Sequence, residues 1–137
     1  KRMPFQRPEN SGSQTIMVNK IMKGIEISKP LREEYSEFMG GIIDRVADYR
    51  NYEEEIGYSF RYYASGMNKN ENIKLLAIDG IEPTAENIKN GKYPYIVNVY
   101  LVTREDVKNP NLDSLINWLL SAQGQGMIES IGYVGVK

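Results

Sequence analysis

The chain has 137 residues, enough for one domain with a sizeable core, and its 41% apolar and 26% charged content is that of an ordinary globular protein. With 17 Lys+Arg against 18 Asp+Glu the net charge is −1, so no global attraction draws it to nucleic acid or to an anionic membrane. Cysteine and histidine are both absent, which excludes Cys- and His-dependent nucleophilic sites, histidine general bases and every Cys/His zinc pattern.

Residues 1–10 read as a short extended piece with Met3 and Phe5 as its apolar positions, closed by a turn containing proline. Ser11 or Ser13 then N-caps a helix whose apolar face holds Val18, Ile21 and Met22, with Gly24 as its C′ residue. Residues 29–39 are a polar loop with about one helical turn. Ile42, Ile43, Val46 and Ala47 recur at helical spacing behind Gly40-Gly41 and predict a helix ending near Asn51. Ile56-Gly57-Tyr58 is a short buried strand, and Phe60 to Met67 an aromatic helical stretch. Ile73 to Ile78 reads as a strand stopped by Asp79-Gly80, and Pro83-Thr84 opens a short helix ending at Asn90-Gly91. Tyr95 to Val102, rich in Ile, Val and Tyr, is the clearest strand. Asn109-Pro110 begins the clearest helix, with Leu112, Leu115, Ile116, Leu119 and Leu120 on one face. Ile131 to Val134 is an apolar end piece. Alternating strands and helices give an α/β class.

The segment carrying the most chemistry is Arg7-Pro8-Glu9-Asn10-Ser11-Gly12-Ser13. A helix start offers unpaired N–H groups and the positive end of the macrodipole. Gly12 lets an anion approach the backbone, two hydroxyls flank it, and Arg7 brings a forked cationic donor suited to a tetrahedral oxyanion. Taken alone, the same residues describe nothing more than a capped helix.

Arg7-x-x-x-Ser11-Gly12-Ser13 resembles the anion loop of the phosphate-binding proteins of ABC importers, which belong to the type II periplasmic-binding class. The similarity continues in order through Gly40 to Val46, Ile56-Gly57-Tyr58-Ser59, Gly91-Lys92-Tyr93-Pro94 with its following strand, and Trp118 to Gln125 with Gly132-Tyr133-Val134. The resemblance implies an α/β lobe of that class, a mixed sheet flanked by helices. It implies a second, anion-loop lobe over 1–92, and over 93–137 a return strand and C-terminal helix that normally cross back to the first lobe. In the family, Arg7 would bind phosphate oxygens, Ser11, Gly12 and Ser13 would supply hydroxyls and N–H groups, and Glu9 would accept the proton of phosphate. Glu9 is one methylene longer than the family's usual aspartate, and Asn10 stands where glycine is common.

The same resemblance implies a binding protein with no catalytic residue, no metal and no cofactor, placed outside the cytoplasmic membrane and lipid-anchored in its full-length form. Its partners would be inorganic phosphate, the ABC permease and the N-terminal lobe of the same protein. The chain begins at Lys1 without a visible signal peptide and has no apolar run near the about 18 residues of a membrane span, so a segment of a longer precursor is expected. Without a partner lobe the C-terminal strand and helix expose apolar surface, which leaves a fragment dimer open.

Other features have plainer readings. Tyr58, Phe60, Tyr62 and Tyr63 form core and hinge packing rather than a stacking platform. Glu53-Glu54-Glu55 is a solvated charge run, since consecutive carboxylates do not share a helix face. Trp118 is a packing residue. The alternatives to phosphate capture are a receptor for another oxyanion or an organic phosphate, and a ligand-sensing domain of a signalling protein.

Overall fold

The computed structural model describes residues 3–29, 36–48, 55–106 and 109–136. It divides into two compact units, Lys1–Leu76 and Ala77–Lys137.

In the first unit, strand β1 (Met3–Pro4) pairs in parallel with β2 (Glu55–Ile56), Met3 opposite Glu55 and Pro4 opposite Ile56. The Phe5 N–H extends this ladder to the Ile56 carbonyl at 2.9 Å. Helix α1 (Gly12–Ile16) runs directly into a π-helical segment, Met17–Met22, which ends at Lys23 in the left-handed region. Helix α2 (Met39–Ala47) buries Ile42, Ile43 and Ala47. The Tyr63–Met67 segment is again π-helical and buries Ala64. Phe5, Ile42, Ile43 and Ala64 form the core, with Val46, Tyr63 and Ile73 packed against it. The Arg45 guanidinium lies 5.7 Å from the centre of the Phe5 ring, a cation–π contact that covers the core from outside.

The second unit opens on a two-residue hairpin. Asp79 and Gly80 both have positive φ, and Ile78 and Ile81 exchange two backbone hydrogen bonds at 3.0 and 2.9 Å, so Asp79-Gly80 turns the chain rather than merely ending a strand. Helix α3 (Ala85–Lys89) follows, N-capped by the Thr84 hydroxyl, which accepts from the Asn87 N–H at 3.1 Å. Thr84→Ala is expected to cost about 1 kcal/mol, read as a lower denaturant midpoint and faster amide exchange at Asn87 and Ile88. Helix α4 (Leu112–Leu119) is followed at once by α5 (Ala122–Ser130), capped by Ser121 through a 3.2 Å bond from the Gly124 N–H. Gln125, buried, donates to the Leu119 carbonyl and accepts from the Val136 N–H, so one amide joins the end of α4 to the chain terminus.

Several expectations change. The helix beginning at Ser11 and the short helix after Thr84 are present. Helix α2 takes Gly40 and Gly41 into its first turn and ends at Ala47, while Asn51 lies outside the described residues. Ile56 is 41% exposed, so β2 is not a buried strand. Asn111, not Asn109, precedes the first residue of α4 and makes no side-chain capping bond; Asn109 is used in a turn, its carbonyl taking the Leu112 N–H and its side chain the Asn111 N–H.

Among the described residues the sheet is one parallel two-strand ladder, not a mixed sheet. The expected strand from Tyr95 to Val102 is absent. Val99, Tyr100 and Val102 are three-quarters exposed or more, and Val97 to Val102 have no backbone partner among the described residues. Strand propensity reflects packing against neighbours, and here no neighbour pairs with the segment. Of the expected strand Ile73 to Ile78 only Ile78 pairs, within the hairpin to Ile81, and Leu75 and Leu76 are exposed. No helix among the described residues is long and apolar enough to cross a membrane.

Candidate functional site

The loop from Arg7 to Gln14 is built by local bonds. Pro8 accepts the Ser11 N–H at 2.9 Å, closing a turn that carries Glu9 and Asn10 outward, and both are exposed. Ser11 has extended backbone angles, and its hydroxyl accepts from the Gln14 N–H at 3.2 Å. Ser11 rather than Ser13 is therefore the cap. Its carbonyl takes the Thr15 N–H at 3.0 Å.

That arrangement leaves two donors over. The N–H groups of Gly12 and Ser13 are the first two of α1 and have no acceptor among the described residues. Ser13 is 7% exposed, and its hydroxyl bonds none of the described groups. Packing does not demand glycine at position 12: a Cβ there would sit 3.7 Å from the Phe60 ring, ordinary contact distance. The bare backbone is a feature of approach rather than of crowding.

Arg7 is held at two points. Its backbone N–H donates to the Tyr58 hydroxyl at 3.2 Å, and its Nη1 donates to the Ser36 carbonyl at 3.1 Å. Ser36 is itself fixed, with its N–H on the Gln6 carbonyl at 2.9 Å and its hydroxyl on the Phe38 carbonyl at 2.9 Å. The Nε of Arg7 is buried and has no partner among the described residues. A buried guanidinium N–H without an acceptor is costly, and an anion would satisfy it. Glu9 makes no ion pair with Arg7, and its carboxylate engages no described group.

The predicted residues thus share one short loop, but in different states. Gly12, Ser13 and Arg7 offer unsatisfied donors, Ser11 is committed to capping, and Glu9 faces solvent. The sequence reading missed Tyr58, Gln14 and Ser36. The Tyr58 hydroxyl donates to Gln14 Oε1 while accepting from Arg7, and burial raises its pKa above the usual tyrosine value. A half-buried tyrosine needs a partner for its hydroxyl, and tyrosine in place of phenylalanine at position 58 was the available signal.

The second unit has a cavity of ≈ 360 Å³ lined by Ala85, Glu86, Lys89, Glu129, Tyr133 and Val134. Lys89 is already paired with Glu129 at 3.1 Å, so two carboxylates face one neutralised cation and no donor set remains for an anion. Among the described residues no carboxylate cluster is placed to hold a metal ion.

A family model described as a PBP superfamily domain matches residues 3–123. Phosphate-binding protein PstS 2 of Streptococcus agalactiae serotype V is 33% identical over 72 residues, covering 53% of this chain and 25% of that protein. Phosphate-binding protein PstS of Borreliella burgdorferi is 28% identical over 83 residues, covering 58% of this chain and 30% of that protein. The chain spans about a quarter to a third of the length of these curated relatives. The crystal structure of PstS from Borrelia burgdorferi superposes with a TM-score of 0.68 at 22% identity, over 100% of this chain and 54% of that one.

Proposed function

The chain belongs to the PBP superfamily, as a binding module and not an enzyme, and from that premise we propose that it captures inorganic phosphate through the Arg7–Ser13 loop. The observation that carries the reading is a set of donors with no acceptor among the described residues: the Gly12 and Ser13 N–H groups, the Ser13 hydroxyl and Arg7 Nε. Every one is a donor, and such a set selects for an oxyanion. The relatives named phosphate-binding proteins support phosphate as that oxyanion. In the proposed whole protein a first lobe supplies the remaining contacts, closes over the anion by hinge motion and delivers it to an ABC permease from outside the cytoplasmic membrane.

Discrimination between oxyanions falls to Glu9. Phosphate keeps a proton near neutral pH and can donate it to a carboxylate, whereas sulfate has none and would place lone pairs against the charge. The Glu9 side chain is exposed here, so in this reading it swings from the Pro8–Ser11 turn toward the bound anion.

The test is titration of the 137-residue chain with phosphate and with sulfate, followed by the amide shifts of Gly12 and Ser13. Phosphate is expected to bind at millimolar strength or weaker, since one lobe leaves the anion open to water and each bond keeps only its small net value. Glu9→Gln is expected to raise sulfate affinity by about tenfold, equivalent to about 1.4 kcal/mol, with a smaller change for phosphate. An unaltered phosphate-to-sulfate ratio removes Glu9 from the recognition. Absence of phosphate shifts at Gly12 and Ser13 defeats the phosphate reading itself.

A further inference from the structure

Tyr58 is separated from Arg7 by 51 residues and from Gln14 by 44, yet its hydroxyl bonds both. A phenol oxygen has one proton to give and lone pairs to accept with, and here the proton goes to Gln14 Oε1 while the Arg7 N–H fills the acceptor side. The two contacted groups bracket the anion loop: Arg7 precedes its turn, and Gln14 is the third residue of α1. Gln14 is 7% exposed and held a second time, its N–H bonded to the Ser11 hydroxyl.

The segment carrying Tyr58 is a rigid reference. A Cβ at the preceding Gly57 would lie 3.1 Å from Val46 Cγ2 and 3.3 Å from Ile42 Cγ2, so the backbone here rests closely on α2 and the core. On the other side, Phe60 lies against Gly12. The segment that follows β2 therefore touches the loop at its beginning, its middle and its end. Burial raises the Tyr58 pKa above the usual tyrosine value, so the hydroxyl keeps the proton that it donates to Gln14 at neutral pH.

We infer that Tyr58 is the positioning residue of the anion loop, its hydroxyl fixing Arg7 and the start of α1 in one geometry so that the free donors are presented without further ordering. The anion part of this inference rests on the proposed phosphate binding; the clamp itself does not. Preorganisation of donors lowers the ordering cost of binding, and a loop released at one end pays it back. Tyr58 touches no anion in this account and acts through Arg7 and Gln14.

The experiment compares wild type with Tyr58→Phe, which keeps the ring, and with Gln14→Leu, which removes the acceptor. Both variants are expected to weaken phosphate binding by about tenfold, the size of one lost hydrogen bond's worth of ordering. Amide exchange at Arg7 and Gln14 is expected to quicken, while exchange at Ile42 and Ile43 stays as in wild type. A merely structural role would quicken the core amides too, or lower the melting temperature without touching phosphate affinity. Unchanged phosphate affinity in both variants overturns the inference. If wild type itself shows no phosphate shift, the phosphate reading falls separately, and the exchange pattern alone decides the clamp: local quickening at Arg7 and Gln14 upholds it, and unchanged exchange there removes it.

Discussion

Gly124→Ala is expected to unfold the second unit at much lower denaturant than wild type. A Cβ at position 124 would lie 2.2 Å from the Trp118 carbonyl oxygen, 2.7 Å from Leu119 Cα and 2.8 Å from the Leu119 carbonyl oxygen. All three are backbone atoms, so no rotamer change relieves the overlap. The carbonyls cannot swing aside freely either. That of Trp118 accepts from the Ser121 N–H at 3.0 Å and the Ser121 hydroxyl at 2.6 Å, and that of Leu119 accepts from Gln125 Nε2 at 2.8 Å. The extra methyl must push α5 off the end of α4 and break the Ser121 cap and the Gln125 clamp together. Overpacking costs about 1–3 kcal/mol, and a clash with three backbone atoms belongs at the upper end of that range. The unit has little to absorb it, since every buried apolar side chain among the described residues belongs to the first unit. Trp118, the single tryptophan, sits at the contact and reports the transition by fluorescence. Gly126→Ala is the control: nothing lies within 4 Å of its Cβ position, and helix propensity alone should make it neutral or about 1 kcal/mol more stable. Equal midpoints for the two variants would show that the close approach at Gly124 carries no energy.

The glycine that makes α5 possible also concealed it. Ala122–Ser130 contains Gly124 and Gly126, which lower helix propensity, and its apolar residues form no continuous stripe, so periodicity gave no reason to expect a helix there. What the sequence does disclose is local. Thr84 and Ser11 cap helices through bonds spanning three residues, and such bonds follow from residue type and position alone. Strands are different, because their partners lie far along the chain or outside it. Val97 to Val102 has the composition of a strand and none of its hydrogen bonds among the described residues. The site divides along the same line. Its donors were readable from seven consecutive residues, but Tyr58 and Ser36, which hold Arg7, reach it from 51 and 29 residues away.

Those long-range holds also explain why a loop with unsatisfied donors does not collapse. Left to itself, a free helix N-terminus would be capped by the nearest acceptor, and Glu9 is close in sequence. The turn closed by Pro8 and Ser11 carries Glu9 into solvent, Ser11 is spent on Gln14, and Tyr58 holds Gln14. The nearby acceptors are either engaged, as Ser11 and Gln14 are, or turned to solvent, as Glu9 is, which leaves Gly12 and Ser13 without an acceptor among the described residues.

Arg7→Ala is expected to abolish phosphate binding by the chain. Arg7 brings the site a full positive charge, and its guanidinium has Nη1 on the Ser36 carbonyl and Nε buried with no partner among the described residues. A hydrogen bond to a charged group is worth about 1.5–3 kcal/mol net, so losing the forked pair that Nε and Nη2 can offer weakens binding by about a hundredfold or more. From a millimolar start that lies beyond titration, and the phosphate-induced shifts at Gly12 and Ser13 should vanish. Arg7→Lys separates charge from geometry. It restores the charge but neither the fork nor, with a shorter donor set, the simultaneous hold on Ser36, so it should recover only part of the affinity. Stability supplies the second reading. The Ser36 carbonyl loses a donor in Arg7→Ala, a cost of about 1 kcal/mol, far too small to unfold a unit whose core is Phe5, Ile42, Ile43 and Ala64. The variant should therefore melt close to wild type while binding nothing. Phosphate shifts of wild-type size in Arg7→Ala would place the anion on the helix start alone and leave the buried Nε without a function.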